Sequence, residues 1–149
     1  MGGEGIPSAE RLRELLVGRS IVSAAVVDEK PEPYTAGPTG TLTLSDGTVL
    51  KVWGNEGCCG CSAGWYELSA LNAPGGVITN VEVDEKPDED YGTCPECKAE
   101  GRGWDYDCPH RGWYRVFVVT ADERTMLASF EGSDGNGYYG TGWWLRVEA

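Results

Sequence analysis

The apolar positions near the start of the chain predict one short helix. Three leucines follow the i, i+3, i+4 spacing of a single buried helical face, namely Leu12, Leu15 and Leu16. Ser8 stands where an N-cap is needed, and Gly18 is a natural C-terminal stop. We therefore predict a helix over residues 8–18 that covers part of a sheet.

After this helix the pattern changes to short apolar or alternating runs separated by turn residues, which is typical of strands. The predicted strands are Ile21–Val27, Gly40–Leu44, Thr48–Trp53, Gly64–Leu68, Val77–Val83, Tyr114–Thr120, Thr125–Phe130 and Gly142–Val147. Asp46-Gly47 lies between two of these runs and is the strongest hairpin signal in the chain.

The strand pattern occurs twice along the chain. Val27-Asp28-Glu29-Lys30-Pro31 recurs as Val83-Asp84-Glu85-Lys86-Pro87, at an offset of 84 − 28 = 56 positions. We interpret residues 20–68 and 76–147 as two repeats of one unit. The alternative is convergent turn chemistry in a glycine-rich β protein.

These patterns together predict the fold class. Two repeats are too few for a solenoid, so both halves are expected to share one core. We predict a single domain over residues 1–149, mainly β and bordering on α+β. Its architecture is an internally duplicated small β barrel or sandwich with one N-terminal helix and a loop insert.

The insert distinguishes the second repeat from the first. Asp46 follows Pro31 by 15 positions, whereas Asp122 follows Pro87 by 35, so the second repeat carries 35 − 15 = 20 extra residues. We place this insert at residues 88–113. Four potential metal ligands lie in it, namely Cys94, Cys97, Cys108 and His110.

The spacing of these four residues predicts a structural zinc site. Cys94-Pro95-Glu96-Cys97 has the form of a zinc knuckle, and Cys108 with His110 completes a tetrahedral Cys3His set. A bound Zn²⁺ would order a loop that has little apolar surface of its own. Disulfide or redox use and unligated thiols are the alternatives, although the strand-to-helix setting of a thioredoxin motif is absent.

A second cysteine group, Cys58-Cys59-Gly60-Cys61, has two interpretations. Cys58 and Cys61 have the spacing of metal ligands, and they are the reserve if His110 does not bind. The group equally fits small buried residues at the end of a strand, and we favour that interpretation.

Charge and composition exclude several classes of protein. The 149 residues include 24 acids and 12 bases, so the formal net charge is −12. Unless its 12 bases clustered, such a chain would be repelled by nucleic acid, because duplex binding depends on phosphate neutralisation by Lys and Arg, so nucleic-acid binding is an unfavoured function. No apolar run has the length of a membrane span, and no apolar signal core begins the chain. We expect a cytoplasmic protein that is not secreted.

Candidate catalytic groups are scarce. Gly135–Gly140 fits the form of a dinucleotide fingerprint, but it leads into a predicted strand, whereas the fingerprint must open a helix. The single histidine, His110, already belongs to the predicted zinc site, so no Ser-His or Cys-His pair can form without it. We therefore expect a protein that is not an enzyme.

The aromatic residues are candidates for a binding surface. Most occur as neighbours in sequence, so in a strand one of each pair faces the core and the other faces solvent. Exposed Trp and Tyr favour recognition of a protein or a flat small molecule. The candidates are Trp65, Tyr66, Trp113, Tyr138, Tyr139 and Trp143. An equally open interpretation is that these rings fill the core and rim of a small barrel.

Four motifs carry a resemblance to a known family. They are Val17-Gly18-Arg19-Ser20-Ile21, Ser45-Asp46-Gly47, Cys58-Cys59 and Gly132-Ser133-Asp134-Gly135-Asn136-Gly137-Tyr138-Tyr139-Gly140. The chain resembles an uncharacterised domain-of-unknown-function family of bacteriophage and bacterial genomes, over residues 12–147. The resemblance implies a phage-type accessory gene and no known activity, and it does not extend to the cysteine insert.

The function expected from these observations is binding. We expect a non-enzymatic phage-type accessory protein, with a structural zinc site, that binds a host or phage protein in the host cytoplasm. Its acidic charge would speed encounters with a basic partner. The alternatives are a protein that sequesters a nucleotide-like small molecule, with Arg111, Arg115 or Arg146 on the charge of the ligand, and a minor virion component.

Overall fold

The structure is a computed structural model and describes residues 4–28, 35–55, 65–86, 99–100, 112–133 and 142–148. Within these residues the chain forms nine strands, arranged as two antiparallel sheets, and one short helix. The sheets face each other in a sandwich-like arrangement, and the described strands form no closed barrel. The mainly β prediction is confirmed, and the sandwich is the better of its two forms.

The helix α1 spans Ala9–Leu16, inside the predicted range. The Ser8 side chain caps it by accepting a hydrogen bond from the Arg11 N–H at 3.0 Å. Leu12 and Leu16 are buried among residues of both sheets. Among the described residues, no helix has the length and apolarity that crossing a membrane requires.

The strands occur close to their predicted positions. Their bounds are β1 Glu4–Gly5, β2 Ile21–Val27, β3 Thr35–Leu44, β4 Val49–Asn55, β5 Trp65–Leu71, β6 Asn80–Lys86, β7 Gly112–Val119, β8 Arg124–Ser133 and β9 Trp143–Val147. The short β1 was not predicted. β6 begins three residues later than predicted, because Ile78 pairs with the end of the helix loop through hydrogen bonds to Gly18 and Arg19.

The Asp46-Gly47 hairpin joins β3 to β4 as predicted. Gly47 has φ +91°, a conformation that favours glycine, and its N–H donates to the Leu44 carbonyl. The Asp46 carboxylate accepts from the Thr48 N–H at 3.0 Å and from Arg19 at 2.5 Å. These bonds hold the pKa of Asp46 at about 2, with the Thr48 N–H as the largest cause.

The last strand of each half of the chain belongs to the sheet that the other half forms. The five-stranded sheet has the order β1-β9-β4-β3-β2, and the four-stranded sheet has the order β5-β8-β7-β6. Each half of the chain therefore contributes three consecutive strands to one sheet and its fourth strand to the other. This order is what a duplication with exchanged fourth strands would produce, while the repeat boundaries themselves stay a prediction.

The strand register shows which residues lie in matching places in the two halves of the chain. In the first sheet Gly54 lies opposite Trp143, and in the second sheet Gly132 lies opposite Tyr66. Tyr66 and Trp143 thus lie in equivalent places, each opposite a glycine, and both are buried.

The core lies between the sheets and beneath the helix. The Phe130 and Trp143 rings stack with their centroids 4.5 Å apart, and the Tyr66 and Tyr114 rings meet edge to face at 5.1 Å. The other buried apolar residues include Leu42, Leu44, Leu50, Val52, Val81, Val116, Val118 and Leu145. One core thus holds both halves together, as the short repeats require.

The insert begins and ends at neighbouring strands. Lys86 at the end of β6 lies opposite Trp113 at the start of β7, so residues 87–111 connect the two strands at one end of this pair. β7 begins at Gly112, which lies inside the predicted range of the insert. The insert therefore ends before Gly112, because Gly112 and Trp113 pair with β8 as part of the sheet.

Candidate functional site

The outer face of the four-stranded sheet is the candidate functional site. β7 alternates strictly between buried and half-buried residues. Tyr114, Val116 and Val118 point into the core, so the residues between them point outward. Together with side chains from β6 and β8 they form what we call the arginine-aromatic face. Its residues are Trp113, Arg115, Phe117, Arg124, Glu82, Asp84 and Glu131.

Arg124 forms the first half of this face. Its guanidinium lies 3.6 Å from the centre of the Phe117 ring, which is a cation–π contact. The same group donates to Glu82 at 2.6 Å and to Asp84 at 3.2 Å. These bonds raise the pKa of Arg124, with the hydrogen bond to Glu82 as the largest cause. Two carboxylates on β6 thus hold the guanidinium over the ring.

Arg115 forms the second half in the same way. Its guanidinium lies 4.1 Å from the centre of the Trp113 ring and 3.8 Å from the Glu131 carboxylate. Because Trp113 lies opposite Glu131 across the sheet, ring, cation and carboxylate share one small area. Two aromatic rings on one strand are thereby each held by a paired arginine.

The surroundings of the face are acidic. The strands and hairpin turn of the four-stranded sheet carry three bases and seven acids, so their net charge is 3 − 7 = −4. The strands and hairpin turn of the five-stranded sheet carry two bases and two acids, so their net charge is 2 − 2 = 0. Glu67 lies directly opposite Glu131, and like charges in such a cross-strand pair repel each other. The face therefore favours a cationic partner.

The five-stranded sheet has a different outer face. Trp53 and Trp144 are opposite each other there, and Arg146 lies 5.5 Å from the Trp53 ring. Arg146 donates two bonds to Glu148, at 3.0 and 2.8 Å, and these lower the pKa of Glu148. Trp53 is only 1% exposed although it lies outside the core cluster. Strand alternation alone gave no sign of this burial.

The predicted binding residues fall into three groups. Trp113 is half-buried on the arginine-aromatic face. Tyr66 and Trp143 are 0% and 1% exposed and pack in the core, so neither is accessible to a partner. The Trp65 side chain and the residues Tyr138 and Tyr139 lie outside the described residues. The burial of Tyr66 and Trp143 supports the interpretation of core aromatics for these two residues.

Sequence reasoning missed Phe117 and Arg124 as members of a site. The signal that could have found Phe117 is the alternation of β7, which places every second residue on the same face as Trp113. Arg124 lies on β8, and only the pairing of β7 with β8 brings it to this face. Arg115 had been considered only as a charge partner for a small ligand. Its contact with Trp113 shows that it also orders the ring.

The predicted metal ligands lie outside the described residues. This holds for Cys94, Cys97, Cys108 and His110, and equally for Cys58 and Cys61. In the part of the chain that the structure describes, no three metal-binding side chains come together. The zinc site therefore stays a prediction that rests on the cysteine spacing.

Two antiparallel sheets, a capped helix and a charged aromatic face define a sandwich-like β protein with a candidate binding surface. A family model described as Domain of unknown function (DUF7448) matches residues 14–145, and the chain belongs to this family. No curated protein and no solved structure matches the chain. The resemblance to an uncharacterised family is thereby confirmed, and a phage or bacterial origin stays a prediction.

Proposed function

We propose that this protein is a non-enzymatic binding protein that docks a protein partner with a basic surface on its arginine-aromatic face. The observation that carries the proposal is the pair of arginines held over Phe117 and Trp113 by carboxylates. Rings and cations fixed in this way lose little conformational freedom on binding, which lowers the entropic cost of association.

The charge distribution supports a basic partner. Arg115 and Arg124 are already paired with acids, so they do not attract an anion as free cations would. Glu67 and Glu131 lie side by side at the edge of the face. A Lys or Arg of a partner placed between them would relieve their repulsion and steer the encounter.

The shape of the molecule favours a protein over a small ligand. A small molecule is usually bound in a concave pocket, whereas this site is the surface of a sheet. A cavity in the described core measures about 10 Å³ and is lined only by apolar side chains, which include Leu12, Leu50 and Trp143. This space fits about one water and not a nucleotide-like ligand. Sequestration of such a ligand and a role in the virion are the competing proposals.

The remaining parts of the proposal come from the sequence. A phage accessory protein in the host cytoplasm accounts for the acidic charge and for the family resemblance. A structural Zn²⁺ on Cys94, Cys97, Cys108 and His110 would order the insert. The insert leaves the sheet beside Trp113, so an ordered insert would border the arginine-aromatic face.

The experiment compares two variants that change the net charge equally. Glu67→Lys places a cation on the face, whereas Glu10→Lys places one on the exposed side of α1. A bacterial lysate is passed over immobilised wild type and both variants at low and high salt. We expect one or more proteins that wild type and Glu10→Lys retain, that Glu67→Lys loses, and that high salt releases.

Two outcomes contradict the proposal. Retention of the same proteins by Glu67→Lys and wild type would show that the face does not dock the partner. Retention that resists salt would show that the partner is not recognised by its basic charge. Trp113→Ala, tested in parallel, separates the contribution of the ring from that of the acid.

A further inference from the structure

The free edge of β2 is the feature that leads beyond the proposed function. β2 is an outermost strand of the five-stranded sheet, and among the described strands only β3 pairs with it. Its sequence, Ile-Val-Ser-Ala-Ala-Val-Val, contains no charge and no proline. Val22 is 61% exposed and Val26 is 52% exposed. An uncharged apolar edge of this kind is a template for pairing with another strand.

The other described edges are each protected. β1 has only two residues, and β5 packs against β3 and β4 of the other sheet. β6 is the counterpart of β2 in the second half, and it carries Glu82, Asp84, Glu85 and Lys86. Charges on an edge strand oppose pairing with another chain. Among the described edge strands, β6 thus carries charges that oppose pairing with another chain, whereas β2 carries none.

The backbone of β2 has groups available for pairing. The Leu44 N–H donates to Thr48 on the β4 side, and successive residues of β3 point alternately to its two neighbours. Thr41 and Thr43 therefore point toward β2, where they lie opposite Ala25 and Ser23. By the same alternation, Ala24 and Val26 direct their N–H and C=O groups away from β3.

We infer that β2 pairs with β2 of a second copy of this chain, so that two five-stranded sheets join into one across a two-fold axis. The strand has a similar chemistry in both directions, since apolar residues flank the small residues at both ends. With the axis at Ala25, Ala24 of one copy lies opposite Val26 of the other. A two-fold contact of this kind uses both free edges and so closes as a dimer.

The charge of the chain restricts where two copies can meet. At a formal charge of −12, two copies repel each other, and close contact requires a surface without acids. The strands β2 and β3 together contain no charged residue. Pairing at β2 therefore brings together the least charged described part of two acidic molecules. Because salt screens the remaining repulsion, the dimer should become stronger as ionic strength rises.

The proposed dimer forms at a different surface from the arginine-aromatic face, and added salt should affect the two complexes in opposite ways. A complex with a basic partner weakens when salt is added, whereas the β2 dimer strengthens. The two proposals can therefore fail independently.

The test is sedimentation equilibrium of the purified chain from micromolar to millimolar concentration. Val26→Lys puts a charge at the free edge, and the matched control Val77→Lys changes an equally exposed valine outside the strands. We expect wild type and Val77→Lys to form a dimer that salt favours, and Val26→Lys to be a monomer. Amide exchange at Ala24 and Val26 should slow in the dimer.

A second variant covers the case in which Val26→Lys does not fold, as judged by far-UV circular dichroism. Ala25→Glu places a carboxylate on an exposed position at the proposed axis, where the two copies would bring like charges together. It should also be a monomer. A wild-type protein that is monomeric over the whole range, or equal dimerisation of wild type and a folded β2 variant, would overturn the inference.

Discussion

The backbone carbonyl of Tyr66 lies directly against the α-carbon of Gly54. A Cβ added to Gly54 would overlap the carbonyl oxygen and the carbonyl carbon of Tyr66. β4 belongs to one sheet and β5 to the other, so this contact is where the two sheets touch through their main chains. Only glycine permits an approach of this kind.

The first prediction follows from that contact. Gly54→Ala must separate β4 from β5, because the atom it meets is main chain and cannot rotate away. We expect the free energy of unfolding to fall by about 4 kcal/mol or more, which is the range of severe overpacking. Urea unfolding measures it. Gly75→Ala is the control, because nothing lies within 4 Å of its added Cβ, and a similar loss there would contradict the explanation.

The second prediction concerns two neighbouring tryptophans. Trp143 is 1% exposed and stacks on Phe130, whereas Trp144 is half-buried on the outer face. Trp143→Ala should cost about 3–5 kcal/mol of unfolding free energy, as for other large core aromatics. Trp144→Ala should cost clearly less. Equal losses in thermal or urea unfolding would mean that the two faces of β9 are assigned incorrectly.

The third prediction is that Glu67→Lys changes the stability of the fold and the binding of a partner in opposite directions. Glu67→Lys replaces a like-charge pair with Glu131 by an attractive pair. The unfolding free energy should rise by about 0.2–1 kcal/mol, with the gain decreasing at high salt. If the face docks a basic partner, the same variant binds it less well. A loss of stability in Glu67→Lys would show that the two carboxylates do not repel each other in the folded protein.

The fourth prediction is a pH dependence at the first hairpin. The folded pKa of Asp46 is about 2, below its ordinary value of 3.8, so its ionised form stabilises the fold. That contribution is complete above 3.8 and is lost as the pH falls toward 2. The difference in urea midpoint between wild type and Asp46→Asn should therefore be constant at neutral pH and shrink in this window.

A variant of Arg19, which donates to the Asp46 carboxylate, tests the cause of the lowered pKa of Asp46. In Arg19→Gln the Thr48 N–H still bonds to the carboxylate, and it is the largest cause of the low pKa. A proton titration by NMR should therefore find the pKa of Asp46 higher than in wild type but still below 3.8. An ordinary value in this variant would assign the shift to Arg19 instead.

The fifth prediction concerns the metal. Protein purified without chelator should contain about one zinc per chain, as a closed four-ligand site requires. Cys97→Ser should lose the metal, leave the far-UV circular dichroism of the sheets nearly unchanged, and raise proteolytic cleavage between Pro87 and Gly112. A metal-free wild type with Cys94 and Cys97 joined as a disulfide would exclude the zinc site. Global unfolding of Cys97→Ser would mean that the insert supports the core.

Local features of the sequence determined most of the secondary structure. The Ser8 cap and the leucine spacing defined the helix, and Asp46-Gly47 defined the first hairpin. These elements are fixed by contacts within a few residues, so their signals are complete in a short window. The alternation in β7 is a local signal of the same kind, because its side chains alternate between the core and the outer face.

The tertiary structure alone decided how these elements combine. The exchange of β5 and β9 between sheets depends on pairing between residues far apart in sequence, which no local pattern records. Trp53 is a similar case, because alternation places it on the outer face and yet the side chain is only 1% exposed. The closeness of Gly54 to Tyr66 also arises only when two sheets meet.

The same division applies to the candidate site. The sequence by itself established an acidic chain rich in paired aromatics, and so predicted that one of each pair would be available to a partner. It could not tell that Trp113 is available while Tyr66 and Trp143 are core residues, since that depends on which sheet face is covered. The arginine-aromatic face exists because Phe117 and Arg124, on different strands, come together only in the folded sheet.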